Sequence, residues 1–109
     1  MYVPDKGDIV SLNFDPSAGK EIMKRRPALV ISRLMFNEHT GFVIVAPITS
    51  TVRGMALEVI LPDDVSTVGA VLIYQLKSLD FVDRKIKFIE KAPQSIIEHV
   101  TKLTKAIIE

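Results

Sequence analysis

With 109 residues, 48% of them apolar and 25% charged, the chain has the length and balance of one globular domain spanning 1–109, which excludes a disordered or low-complexity polypeptide. The absence of cysteine excludes disulfides, thiolate metal sites and a cysteine nucleophile, and suits a reducing cytoplasm, where the chain is expected to reside. A net charge of +1 excludes a bulk polyanion binder; the longest apolar run, Phe42 to Ile48, is too short to span a membrane, and MYVPDKGD lacks a signal-peptide core.

Val10, Leu12 and Phe14 alternate with Ser11 and Asn13, the period of a half-buried strand. A long connection follows, from Asp15 to Arg26. Between residues 20 and 33 lie Lys20, Lys24, Arg25, Arg26 and Arg33 against one acid, Glu21, a local basic patch able to hold phosphates. Ala28 to Ile31 is a continuous apolar stretch after Pro27. Asn37 to Gly41 reads as a turn carrying His39, which is expected in solvent with a proton-carrying role as the alternative. Phe42 to Ile48 reads as a strand whose end, at Pro47, is not fully paired. Thr49 to Met55 is a second long loop, with Ser50, Thr51, Arg53 and Gly54. Leu57 to Leu61, Ala70 to Leu76 and the stretch around Ile86 and Phe88 read as further strands. Asp63–Asp64 and the Asp80/Asp83 pair sit at expected turns, where aspartate is favoured for backbone reasons as well as for cations. After Pro93 the period changes: Ile96, Ile97, Val100, Leu103 and Ile107 make a helical stripe, with Ser95 and Glu98 as a capping box and His99 on the polar face. Six short strands and one helix imply an antiparallel sheet curled into a barrel or sandwich.

Common catalytic signatures are missing: no glycine-rich phosphate loop, dinucleotide fingerprint, zinc-binding His pair or nucleophile elbow occurs. No metal or cofactor is therefore expected. What remains is KEIMKRRPALVIS and VAPITSTVRG. The ordered set GDIVSLNFDPSAG, Glu21, Arg26-Pro27 before an apolar strand, Pro47-Ile48-Thr49-Ser50 and YQLKS resembles the MazF/PemK/Kid family along essentially the whole chain. These are toxins of bacterial toxin–antitoxin modules and sequence-specific endoribonucleases.

The resemblance implies a mostly β fold, an SH3-like barrel of short antiparallel strands with a C-terminal helix (CcdB/PemK-like), assembled as a homodimer. It implies single-stranded RNA as substrate and an antitoxin with an acidic tail, MazE-like, as partner. Arg26 matches the family's catalytic arginine, Thr49 its catalytic threonine and Glu21 the acid of the preceding loop. A guanidinium offers a planar fork of donors to phosphate oxygens, and a threonine hydroxyl adds one hydrogen bond to developing charge. Glu21 is positioned in sequence to take the proton of a 2′-hydroxyl. Lys20, Lys24, Arg25, Ser50, Arg53, Tyr74 and Gln75 are the expected RNA-binding residues. Ile22 and Lys24 depart from the glutamine and glycine of many members, and Tyr74 replaces an aspartate of several relatives, which shifts weight to Glu21 as base. A rival reading is a gyrase-poisoning toxin similar to CcdB, but those proteins depend on an aromatic C-terminal end, whereas this chain ends KAIIE and has no tryptophan.

Overall fold

The computed structural model describes residues 1–109. Seven strands form one antiparallel sheet: β1 (Asp8–Asn13), β2 (Arg25–Val30), β3 (Phe42–Thr49), β4 (Glu58–Ile60), β5 (Ala70–Leu72), β6 (Lys77–Asp80) and β7 (Lys87–Lys91). Two helices, α1 (Leu34–Thr40) and α2 (Gln94–Ile108), complete it. The strand order is β4-β5-β3-β2-β1-β7, with β6 on the first half of β3.

β3 organises the sheet. Phe42–Val45 pair with β6, Val45–Pro47 with β2, and Ile48–Thr49 with β5. The sheet therefore has apolar clusters on both faces. Val10, Leu12, Ala28, Val30, Val43, Val45 and Leu79 fill one; Ile9, Leu29, Ala46, Ile48, Val71, Ile73 and Val100 fill the other. A strand buried on both faces needs apolar side chains at every position, which is why β2 and β3 read as continuous runs. Pro47 is accommodated by this partition: it pairs with Ala28 on one side, and the strand continues past it along β5, so the end is paired after all.

Three local expectations are corrected. Ala70 to Leu76 is not one strand, because after Leu72 the chain makes a 3₁₀ turn at Ile73–Gln75, and β6, a seventh strand, follows. Asn37 to Gly41 is not a turn but the end of α1, closed by Gly41 in the left-handed region with its N–H donating to Asn37 O at 2.9 Å. The helix is fastened by a polar residue: buried Asn37 donates to Pro4 O (2.7 Å) and Ser32 O (3.1 Å). His39 is exposed on it, as is His99 on α2. α2 begins at Gln94 behind Pro93 with no side-chain cap, so the Ser95–Glu98 capping box does not form. Its stripe packs as expected, with Val100 buried and Ile96, Ile97 and Leu103 half-buried against the core.

Candidate active site

Arg26 lies near the start of β2 and Thr49 at the end of β3. The recorded register pairs Ala28 with Pro47. Arg26 lies two residues before that pair on β2, and Thr49 two residues after it on β3. Both side chains line one cleft of about 170 Å³. The β1–β2 loop adds Lys20, Glu21, Ile22 and Met23 to its wall, the β3–β4 loop adds Thr51 and Arg53, and the β5 end and 3₁₀ turn add Leu72, Tyr74 and Gln75.

The arrangement leaves the polar groups ready for a ligand. Arg26 uses only its Nε, which donates to Met23 O at 3.2 Å; its terminal nitrogens, the fork that fits phosphate, have no protein acceptor. Thr49 Oγ1 accepts the Thr51 N–H at 3.1 Å, and its own O–H remains free to donate. Glu21 Oε1 accepts the Ala18 N–H at 3.0 Å and meets Lys77 Nζ at 3.4 Å. These contacts, the Ala18 amide first and then Lys77, hold its carboxyl below the usual range, so it is ionised at neutral pH while Oε2 carries no protein partner.

Gln75 shapes the loop from inside the cleft. Its Oε1 accepts the Ile22 N–H at 2.7 Å and its Nε2 donates to Lys20 O at 3.4 Å, tying the basic loop to the 3₁₀ turn. Tyr74, 40% exposed, lines the same cleft.

Three expected RNA-binding residues lie outside this cleft. Arg25 precedes Arg26 in an extended strand, so its side chain leaves from the opposite face, and its Nη2 donates to Ser11 O (3.1 Å) and Lys85 O (2.6 Å). Lys24 stands at φ +67, the region a glycine enters without Cβ strain, and its backbone closes the loop: its N–H donates to Asp15 Oδ1 and its carbonyl accepts from Phe14 N–H. Ser50 lines an adjoining hollow with Val52, Ile60 and Val68. Asp80 serves a turn, its Oδ1 accepting the N–H groups of Val82 and Asp83.

Ile22, Met23, Thr51, Glu58 and Leu72 also line the cleft although the sequence did not mark them as site residues, and Glu58 has a definite task. Glu58, first in β4, turns Oε1 back on the preceding loop and accepts the N–H groups of Arg53 (3.0 Å), Gly54 (2.9 Å) and Met55 (3.3 Å). Its Oε2 is buried with no partner. In sequence Glu58 reads as the polar residue of an alternating strand; the available signal was its place just after a glycine-containing loop, whose free amides need an acceptor.

A half-buried arginine with a free fork, a threonine hydroxyl and an ionised carboxylate share one cleft, set in a mostly β fold with a C-terminal helix. The chain belongs to the PemK-like, MazF-like toxin family of type II toxin–antitoxin systems, whose model matches residues 5–108. It is 40% identical over 78 residues to the endoribonuclease toxin MazF of Escherichia coli strain K12, covering 72% of this chain and 69% of that protein. The crystal structure of MazF from Deinococcus radiodurans superposes with a TM-score of 0.95 at 38% identity, covering 99% of this chain and 98% of the other. A MazE–MazF complex from the same organism matches with a TM-score of 0.86 at 34% identity, covering 99% and 97% of the two chains.

Proposed function

We infer that this chain is the toxin of a type II toxin–antitoxin module and acts as a sequence-specific endoribonuclease on single-stranded RNA in the cytoplasm, inhibiting translation and growth. The observation that carries the reading is that Arg26, Thr49 and Glu21 line one cleft, with the Arg26 fork and the Thr49 hydroxyl unengaged by protein acceptors. In this reading the substrate's own 2′-hydroxyl attacks the adjacent phosphorus. Glu21 takes the 2′ proton, Arg26 and Thr49 stabilise the charge gathered on the non-bridging oxygens, and the 5′-oxygen leaves as the P–O5′ bond breaks, taking its proton from solvent water. The products are a 2′,3′-cyclic phosphate and a 5′-hydroxyl, and no metal enters the steps. Lys20 and Arg53 hold flanking phosphates, while Tyr74 offers a ring for base stacking.

An antitoxin of the MazE type is the expected partner, supported by the MazE–MazF likeness. A second copy of the chain is expected against the surface beside the cleft, where Val52, Ile60 and Val68 are 43%, 62% and 79% exposed. The gyrase-poisoning alternative is not favoured, since it leaves the phosphate-directed arginine without a task. Two substrates test the reading. An all-ribose oligonucleotide should be cut in excess EDTA, and the same oligonucleotide with 2′-deoxyribose at the scissile position should not. Cleavage of the deoxy substrate would exclude 2′-hydroxyl attack.

A further inference from the structure

Away from the cleft, the N-terminal turn, the β2–α1 connection, the end of β7 and one face of α2 enclose a hollow of about 570 Å³. Its wall carries Lys6, Arg33, Lys91, Lys102 and Lys105 against a single acid, Glu98, with Ile97 as its only apolar residue. The ion pairs of the chain are Lys77–Glu21 and Lys91–Asp8, so Lys6, Arg33, Lys102 and Lys105 face the hollow without a carboxylate partner. The crowding is felt: burial, then Arg33 and Lys105, push the Lys6 ammonium below its usual range. Cations drawn together in a concavity without counter-charge raise the local potential and favour an anionic ligand.

The hollow is separate from the cleft. Gly7 N–H bonds Val30 O at 2.9 Å, placing Lys6 at the far end of β2 from Arg26. Four strand residues at about 3.3 Å each put that end roughly 13 Å away. We propose that this hollow is a second anion site that holds the phosphodiester backbone of the RNA beyond the segment in the cleft. The inference rests on the endoribonuclease reading for the identity of its ligand. The wall chemistry selects nucleic acid over an acidic protein segment, because an acidic peptide anchors through apolar side chains as well as charge, and Ile97 alone cannot receive them. Lysines supply mobile point charges suited to a sequence-independent backbone contact.

The test is fluorescence anisotropy with a fully 2′-O-methylated, uncleavable RNA of about 20 nucleotides, titrated between about 50 and 200 mM salt. The parent is compared with Lys102→Gln/Lys105→Gln, both exposed helix positions whose replacement leaves the fold intact. The variant should bind more weakly, with a log–log salt slope smaller by about 1.4, two contacts at about 0.7 each. Cleavage of a pentanucleotide confined to the cleft should be unchanged. An unchanged slope on the long RNA would overturn the proposal. So would loss of oligoglutamate binding with RNA binding intact, which would assign the hollow to an acidic protein partner. A parent that shows the slope difference yet cleaves nothing would retain the hollow and refute the endoribonuclease reading instead.

Discussion

Replacing Arg26 by alanine separates catalysis from folding. In the folded chain its side chain is half-buried and makes one protein hydrogen bond, Nε to Met23 O at 3.2 Å. Losing one such bond costs about 0.5–1.5 kcal/mol, a melting shift of a few degrees to roughly 8 °C in a domain of this size. The loss of rate expected from the proposed role is larger. A fixed donor aimed at charge that develops only in the transition state is worth about 10²–10³ in rate, or roughly 3–4 kcal/mol. Arg26→Lys should recover little of it, since an ammonium does not reproduce the two-toothed contact. The assay pairs thermal melting with single-turnover cleavage of one RNA under saturating enzyme. Arg26→Ala should melt within several degrees of the parent and cleave at least a hundredfold more slowly. A variant within a few-fold of the parent rate would remove Arg26 from the mechanism, and one that is unfolded at room temperature would make it a structural residue.

Glu58→Ala releases three loop amides at once and should destabilise the chain by about 1–3 kcal/mol in urea unfolding; Glu58→Gln, which keeps an acceptor, should lose less. Equal losses would mean that the carboxylate charge, not the acceptor geometry, holds the loop. Gly69 stands at φ +130, and a Cβ there would meet the Thr49 carbonyl, so Gly69→Ala should shift Thr49 and slow cleavage by up to about 10²-fold while the melting temperature falls. A fall in melting temperature with full activity would detach Thr49 from the chemistry. Glu90 is held at about 2 by the Thr67 hydroxyl first and then the Ser66 amide and hydroxyl. A depressed carboxyl stabilises the fold fully above its unfolded value near 4.5 and loses that contribution as pH falls towards 2, so Glu90→Gln should be less stable than the parent at pH 7 and converge with it near pH 2. A gap that stays constant with pH would show that the carboxylate charge is not the cause.

The strands were legible where one rule governed them. Val10, Leu12 and Phe14 alternate because β1 and the residue just after it put these three into one apolar cluster, and β2 and β3 read as runs because both their faces are buried. α1 was illegible because Leu34, Met35 and Phe36 are all exposed and the residue that fixes it, Asn37, is polar. β6 hid in the polar stretch Lys77–Asp80, where only Leu79 faces the core. At the site, the resemblance supplied the residue types, and the structure brings Lys20, Glu21, Arg26, Thr49, Arg53, Tyr74 and Gln75 to one cleft. A basic run in sequence does not say which side chains share a face. Alternation along β2 sends Arg25 away from Arg26, and Glu58 enters the cleft wall only through the path of a loop that sequence does not specify.

Attack by the substrate's own 2′-hydroxyl, as proposed for the cleft, leaves its signature in the chemistry of the new RNA ends. Total RNA is incubated with the purified chain and, in parallel, with Arg26→Ala, and fragments bearing a 5′-hydroxyl are selectively ligated and sequenced. New 5′-hydroxyl ends should appear at a recurring short sequence with the parent and almost none with the variant. New ends bearing 5′-phosphate, or equal cutting by both proteins, would contradict the proposed mechanism.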